Sequence, residues 1–373
     1  MDSGKIKALA TGARVQLMDG VRASLERVLA PDSSESINEP GRVRELRDEA
    51  KDKEALIERV AYTWFNRLCA LRLMDSRGYT PVPVVTPRAG ETMPAILSDA
   101  RRGVFCGDYP LKSADKQRVQ DLVTGNTESI NPLGEAYVIL LLSACDYYAK
   151  PIPALFGTNV RNTNAMRLLA PTGLLADESI LQRIVEGMND ENCSEVEVMG
   201  WLYQYYITER HDEVYNGFKN RKKAGAEEIK PATQLFTPHW IVRYMVENSL
   251  GRLWMLNFPE SSLIEKMEYY IEPTEKESDY RRIDGPEDIS ILDPAMGSGH
   301  ILIYAFELLY DMYIEEGYRP AEIPTLILKN NLTGFEIDDR AAEIAIFALS
   351  IKAREYDEGY FDHPIQLDVI ASL

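Results

Sequence analysis

The sequence predicts an α/β protein in two parts: an all-helical amino-terminal domain over residues 1–230 and the first part of a parallel-sheet domain over residues 231–373. Two observations predict this division. Before residue 231, apolar residues recur at the three- to four-residue spacing of amphipathic helices. After it, short apolar strands alternate with amphipathic helices, which is typical of a parallel sheet with crossover helices.

The composition is that of an ordinary folded protein, with 45% hydrophobic and 27% charged residues. No apolar run approaches the roughly 20 residues of a membrane helix, and the first thirty residues contain no signal-peptide core. We therefore expect a cytoplasmic protein without a membrane partner. The four cysteines and four histidines are scattered, so we expect no metal site. A net charge of −18 argues against this chain being the main DNA-binding surface, which is usually basic.

The first part of the chain predicts a series of helices. Apolar residues at every fourth position from Leu9 to Leu29 form one stripe of a first helix. After a break rich in Ser, Asp and Pro at residues 31–40, a second long helix carries Trp64 and Phe65 on its apolar side. A loop is expected at residues 77–93, and further helices at residues 94–102, 112–123, 133–149, 164–169, 177–188 and 194–209.

A strand, a glycine loop and a helix follow one another between residues 289 and 313. The strand ends in Asp293, and the loop Pro-Ala-Met-Gly-Ser-Gly (294–299) leads into an apolar helix. Glycines allow close approach of the backbone to a ligand, and a helix start offers unpaired amide donors. A dinucleotide fingerprint would need Gly or Ala where Leu302 stands, and no Lys-Ser/Thr pair of a P-loop follows. Asp293 instead suits the ammonium group of S-adenosylmethionine; the alternative is that it only caps a tight turn.

A second strand at residues 332–336 ends in another carboxylate, Glu336, and leads into a helix at about residues 340–354. An acid at this position can accept both ribose hydroxyls of a nucleoside, so Glu336 is the candidate for that role. We expect Asp338 or Asp339 to cap the helix.

A third motif, Phe-Thr-Pro at residues 236–238, lies upstream of both strands. Thr237 stands where an N-cap is expected, with Pro238 at the first position of the following helix. This local structure needs no ligand, and the motif gains a functional meaning only in combination with the other two.

In this order, the three motifs resemble those of the gamma-type amino-methyltransferases of DNA, over residues 233–373. The family's Phe/Tyr-Thr-Pro motif matches residues 236–238, its Asp-Pro-Ala-x-Gly-x-Gly loop matches residues 293–299, and its second-strand acid matches Glu336. The resemblance implies a Rossmann-like domain that uses S-adenosyl-L-methionine. It also implies a third strand at residues 365–368, whose acid contacts the adenine amine of the cofactor. The implied cofactor-binding residues are Phe236, Thr237, Asp293, Ala295, Gly297, Gly299, Glu336, Ile337 and Asp368.

The remaining sequence, including residues 57–67 and 200–206, resembles the PglX methyltransferases of bacteriophage-exclusion (BREX) systems over the whole chain. This resemblance implies methylation of the exocyclic 6-amino group of adenine in double-stranded host DNA, with other BREX proteins as candidate partners. Two alternatives stay open. One is a modification subunit of a type I or fused restriction-modification enzyme, and the other is an interaction module that docks other defence proteins. A methyltransferase of RNA or protein is disfavoured by the helical first part.

The sequence departs from the family in one respect. The catalytic tetrapeptide of these enzymes, Asn/Asp-Pro-Pro-Tyr/Phe, does not occur in it. We therefore expect an amino-terminal fragment with an incomplete methyltransferase domain and no catalytic residue of its own. DNA would be contacted mainly by downstream regions, and the chain alone would transfer no methyl group.

Overall fold

The structure is a computed structural model that describes residues 3–157, 163–219, 225, 229, 237–275 and 277–371. The chain divides into two compact units, Met1–Tyr206 and Ile207–Leu373. The division falls within a helix, whereas the change in composition on which the predicted boundary rests lies near residue 231. Residues 230–236 lie outside the described residues.

Helices make up the regular structure of the first unit in the part that the structure describes, together with one isolated antiparallel bridge between Pro87 and Pro94. The helices are α1 (Ser3–Leu29), α2 (Ser34–Asn38), α3 (Pro40–Glu49), α4 (Lys53–Ser76), α5 (Ala95–Arg101), α6 (Ser113–Thr124), α7 (Pro132–Tyr148), α8 (Pro153–Phe156), α9 (Thr163–Leu168), α10 (Ile180–Gly187) and α11 (Val198–Lys219), which continues into the second unit.

The first predicted helix is confirmed as α1, and the apolar stripe from Leu9 to Leu25 is buried. The single long helix predicted after it was wrong, because the structure contains two helices, α3 and α4, at that place. The break has a local cause: the Asp52 side chain accepts a hydrogen bond from the Ala55 amide at 3.2 Å and starts a new helix. Helix α4 is buried on almost every side, and the Trp64 indole donates to the Met166 carbonyl at 3.1 Å.

The loop after α4 is organised by one carboxylate, that of Asp75. One oxygen of Asp75 accepts hydrogen bonds from the Thr80 hydroxyl at 2.8 Å and the Val84 amide at 3.0 Å. The other accepts from the amides of Val85 at 2.8 Å and Thr86 at 2.9 Å. Burial raises the pKa of Asp75, although these hydrogen bonds act in the opposite direction.

The second unit alternates helices and strands. Helix α12 (His239–Val246) runs through a π-helical turn (Glu247–Gly251) into α13 (Arg252–Asn257). Two short 3-10 helices follow, Ser262–Lys266 and Pro286–Asp288. The order then is β1 (Ile291–Asp293), α14 (His300–Glu315), α15 (Ile323–Leu326), a π-helical turn (Ile327–Asn331), β2 (Leu332–Glu336), α16 (Asp339–Tyr356) and β3 (Val369–Ala371).

The three strands form one parallel sheet in the order β1-β2-β3, which confirms the predicted parallel arrangement. Asp293 of β1 pairs in register with Gly334 of β2, and Glu336 pairs with Ala371 of β3. The predicted third strand at residues 365–368 was wrong, because β3 begins only at Val369.

No helix within the described ranges is both long and apolar enough to cross a membrane. In the same residues, no three His, Cys, Asp or Glu side chains come together in a way that could hold a metal ion.

Candidate functional site

The carboxyl ends of β1 and β2 bring two of the predicted motifs together. The Glu336 carboxylate accepts a hydrogen bond from the Gly297 amide at 2.8 Å and another from the Asp338 amide at 2.9 Å. The Met296 amide donates to the Phe335 carbonyl at 3.0 Å. The glycine loop therefore lies directly on the end of β2, beside the acid that the sequence singles out.

Two glycines of this loop have left-handed backbones for different reasons. Gly297 has φ +56, and a Cβ atom built on it would meet no atom within 4 Å. Gly299 has φ +88, and its Cβ would lie 3.0 Å from the Cβ of Ala345 in α16. Gly299 thus permits close packing of α14 on α16, whereas the space beside Gly297 is open.

A third glycine, which the sequence analysis did not interpret, lies beneath the loop. A Cβ on Gly334 of β2 would clash with the sulfur of Met296. Met296 is buried over this position. A glycine in the middle of a strand marks a close approach of another segment, which is the sequence feature that would have revealed the contact.

Asp293 is buried at the end of β1, with 8% of its surface exposed. One carboxylate oxygen accepts a hydrogen bond from the Ala295 amide at 3.1 Å, while the other is buried and has no hydrogen-bond partner. Burial raises the pKa of Asp293, the Ala295 amide lowers it, and the nearby Glu336 carboxylate raises it further. A buried acceptor without a partner is costly, and a cationic ligand group would relieve that cost.

The segment after the Phe-Thr-Pro motif lies against the helix that follows the glycine loop. The rings of His239 in α12 and Tyr304 in α14 are 6.2 Å apart between centroids. Burial, and then the proximity of His239, lowers the pKa of His300 to about 3. Helix α14 therefore begins with a neutral imidazole at physiological pH.

The predicted capping role of Thr237 was wrong. Helix α12 begins at His239, the residue in the N-cap position is Pro238, and no side chain caps the helix. The reason is the backbone of Pro238, which has φ −54 but an extended ψ of 140, so it stands outside the helix. Phe236 lies outside the described residues. The prediction for the later helix is confirmed, because the Asp338 side chain caps α16 by accepting from the Arg340 amide at 3.0 Å.

A buried acid fixes α12 against α14, and the sequence analysis missed it. The Glu247 carboxylate is fully buried and accepts hydrogen bonds from the Tyr304 hydroxyl at 2.6 Å and the Arg243 guanidinium at 3.2 Å. Its second oxygen accepts from the Tyr269 amide at 2.5 Å. Arg243 and Glu247 are four residues apart on one helix face, and this spacing was the available clue.

Of the other predicted residues, two lie at this edge of the sheet and one does not. Ala295 and Ile337 are exposed beside the loop and Glu336. Asp368 precedes β3, where its carboxylate accepts a hydrogen bond from the Thr333 hydroxyl at 2.7 Å. Since Ala371 is the residue level with Glu336, Asp368 lies three positions back, about 10 Å toward the other end of the sheet at ~3.3 Å per residue.

The arrangement is suited to a ligand with both positive and hydroxyl groups. Two carboxylates, Asp293 and Glu336, end neighbouring parallel strands on either side of a loop whose Gly297 leaves open space. Ligands of open parallel sheets bind beyond the carboxyl ends of the strands. The second pair of lone pairs on the Glu336 oxygens can accept ligand hydroxyls in addition to the two amides.

The chain is similar to known DNA methyltransferases. Residues 281–369 match the family model of the MmeI DNA-methyltransferase domain. The chain is 39% identical to the adenine-specific methyltransferase BrxX of Escherichia coli O9:H4 over 333 residues, which cover 85% of this chain and 26% of the relative. It is 32% identical to the adenine-specific methyltransferase PglX of Lacticaseibacillus casei over an alignment of 426 positions. This alignment covers 99% of this chain and 34% of the relative.

A more distant similarity is to a putative type II restriction enzyme and methyltransferase of Methanocaldococcus jannaschii, at 28% identity over 53% of this chain and 18% of that protein. The chain thus spans 18–34% of the length of these relatives. The chain is homologous to the adenine-specific methyltransferases PglX and BrxX, and the part that matches the MmeI DNA-methyltransferase model includes β1, the glycine loop and β2.

Proposed function

We propose that the second unit binds S-adenosyl-L-methionine at the carboxyl edge of its sheet, as the first part of a Rossmann-like methyltransferase domain over residues 231–373. The observation that carries the proposal is the buried oxygen of Asp293 that has no hydrogen-bond partner. It lies next to a loop whose Gly297 would admit a ligand and on the same sheet edge as Glu336. The helical first part, residues 1–230, is proposed as a separate domain.

Each residue of the cluster has a chemical role toward this cofactor. The Asp293 carboxylate would hold the ammonium group of the methionine part, and Glu336 would accept hydrogen bonds from the ribose hydroxyls. Gly297 would let the loop backbone approach the ligand, and Thr237, Ala295 and Ile337 would line it. When bound, the cofactor supplies a methyl group on a positively charged sulfur.

We further infer that the longer protein to which these residues correspond methylates the 6-amino group of adenine in host DNA within a BREX defence system. The names of the relatives BrxX and PglX support adenine as the target. In such a reaction the base is flipped out of the duplex, and the enzyme acts mainly by positioning the amine. These 373 residues contain no Asn/Asp-Pro-Pro-Tyr/Phe tetrapeptide, so that positioning requires residues outside them.

Calorimetric titration of the chain with S-adenosylmethionine tests the cofactor site. Hydrogen bonds to a charged group contribute about 1.5–3 kcal/mol, so Glu336→Ala is expected to weaken binding roughly tenfold to a hundredfold. Glu316→Ala removes an exposed acid at the other end of α14 and should leave affinity unchanged. Equal affinity of Glu336→Ala and the unsubstituted chain would remove Glu336 from the site.

A methyl-transfer assay tests the inference that this chain alone is inactive. With labelled cofactor and unmethylated host DNA, we expect no incorporation above that of a Gly297→Asp, Gly299→Asp double variant. The longer homologous protein should methylate the same DNA. Incorporation by the 373 residues above the double-variant level would show that the catalytic centre lies within them.

A second candidate is the modification part of a fused restriction-modification enzyme, which the name of the archaeal relative favours. The cofactor chemistry would be the same. The two candidates differ in one activity of the longer protein, which is cleavage of unmethylated DNA. Cleavage that depends on the methylation state of the site supports the fused enzyme, and its absence supports the stand-alone methyltransferase.

A further inference from the structure

The first unit contains a groove that the methyltransferase function does not use. Its volume is about 450 Å³, which lies within the range of roughly 300–1,000 Å³ typical of ligand pockets. One wall is formed by the loop before α5, with Val85, Pro87 and Met93, and the other by α10 and the turn before it, with Leu175 and Val185. The walls are therefore mainly apolar.

The loop that forms the first wall is held in place by many hydrogen bonds. Asp75 accepts three of its amides, those of Val84, Val85 and Thr86. Three tyrosine hydroxyls donate to carbonyls of the same loop. They are Tyr109 to Val82 at 3.1 Å, Tyr137 to Val84 at 3.0 Å and Tyr148 to Tyr79 at 3.1 Å. Binding to a wall that is already ordered avoids the entropic cost of ordering a loop.

The turn that leads into the second wall contains a strained residue. Glu178 has φ +55, a left-handed conformation that is unfavourable for a residue other than glycine. Its amide donates to the Gln182 side chain at 3.0 Å, and its carbonyl accepts from the Arg183 guanidinium at 3.2 Å. Strain of this kind persists where the surroundings over-determine it, frequently at binding sites.

The groove has a negatively charged rim. Asp177 and Glu186 line it and are exposed, and none of its lining residues in the described part of the chain is lysine or arginine. The stretch of sequence that supplies this rim is also acidic, because residues 174–197 include seven Asp or Glu residues, of which Asp190 is paired with Arg72 at 2.9 Å, and one basic residue, Arg183. Such a rim repels nucleic acid and attracts cationic groups.

We propose that this groove docks a short peptide segment of a partner protein, in which apolar side chains are flanked by lysine or arginine. The apolar walls would take up the aliphatic side chains, and Asp177 and Glu186 would pair with the flanking cations. The proposal is independent of the cofactor site, since every residue it uses belongs to the first unit.

Synthetic peptides test this proposal directly. The probes are a fluorescent peptide of leucine and lysine, a matched peptide of leucine and glutamate, and a matched peptide of serine and lysine, each titrated by fluorescence anisotropy. In the chain labelled with ¹³C-methyl methionine, the Met93 methyl signal reports on the groove itself. We expect only the leucine–lysine peptide to bind and to shift the Met93 signal.

Matched charge reversals complete the test. Asp177→Lys, Glu186→Lys in combination should weaken binding of the leucine–lysine peptide at least tenfold. Glu128→Lys reverses an exposed acid outside the groove and should change it less than twofold. Thermal unfolding verifies that the variants fold. The proposal fails if no peptide binds, if the serine–lysine peptide binds equally well, if Met93 does not respond, or if the two charge reversals have equal effects.

Discussion

Asp75 in the first unit and Asp293 in the second are both carboxylates whose pKa is raised by burial, but they differ in their partners. Asp75 accepts four hydrogen bonds from one loop, so both of its oxygens are used within the protein. Asp293 accepts one, and its second buried oxygen has none. Burial is thus common to both, but only Asp75 has both oxygens hydrogen-bonded within the protein, and the unpaired oxygen of Asp293 is the one that we propose for a ligand.

The two units also differ in charge. Residues 1–206 contain 24 basic and 28 acidic residues, whereas residues 207–373 contain 17 basic and 31 acidic residues, a net charge of −14. Affinity for DNA at physiological salt depends on neutralising phosphates with lysine and arginine. We therefore expect the bulk of this second unit to contribute little affinity for DNA.

The largest expected effect is on stability, at Asp75. Asp75→Ala leaves the amides of Val84, Val85 and Thr86 without their acceptor, and we expect a loss of about 3–5 kcal/mol in the free energy of unfolding of the first unit. Chemical denaturation followed by tryptophan fluorescence measures it. Asp75→Asn keeps one acceptor oxygen and should lose less. A loss below 1 kcal/mol for Asp75→Ala would contradict a structural role, and neither variant should change affinity for S-adenosylmethionine.

The sequence could predict the motifs because their chemistry is local. It could not predict the tertiary hydrogen bonds and the strand register that decide which side chains lie close together. Strand β2, the cap at Asp338 and the parallel order followed from residues close together in the chain. The difference between Asp75 and Asp293 did not, because it depends on which amides the tertiary structure brings within reach. For the same reason the sequence did not indicate how far Asp368 lies from Glu336, since the register between β2 and β3 is not encoded locally.

The next largest effect separates the two left-handed glycines of the loop. Gly299→Ala combines an unfavourable φ with a Cβ contact of 3.0 Å to Ala345, and we expect it to destabilise the second unit by about 2 kcal/mol. Gly297→Ala meets no atom and should cost about 1 kcal/mol from backbone strain alone. The ratio of lost cofactor affinity to lost stability should be larger for Gly297→Ala than for Gly299→Ala. Calorimetry measures the affinity and denaturation measures the stability, both on the same samples. Equal ratios would mean that the space beside Gly297 is not used by a ligand.

The third prediction is that Asp293→Asn stabilises the fold at pH 7 but weakens binding of S-adenosylmethionine. Burial raises the pKa of Asp293 in the folded state, so the folded protein holds this proton more tightly, and its stability falls as the pH rises through the raised pKa. Asp293→Asn removes the charge and should gain about 1 kcal/mol at pH 7, with no gain in acid where Asp293 is protonated. Affinity for S-adenosylmethionine should fall at least tenfold. If Asp293→Asn is less stable than the unsubstituted chain at pH 7, the Asp293 carboxylate stabilises the fold, as we expect for Asp75.

The smallest expected effect is at Thr237, for which the predicted capping role was wrong. Since the Thr237 side chain does not cap α12, Thr237→Ala should change the free energy of unfolding by less than about 0.5 kcal/mol. Asp338→Ala is the matched control, because Asp338 does cap α16, and it should cost about 1 kcal/mol. Thermal unfolding of both variants measures the difference. If Thr237→Ala costs as much as Asp338→Ala, the threonine stabilises the helix start after all. If it leaves stability unchanged but weakens binding of S-adenosylmethionine, the Phe-Thr-Pro motif contributes to the ligand site rather than to the fold, as we propose for Asp293.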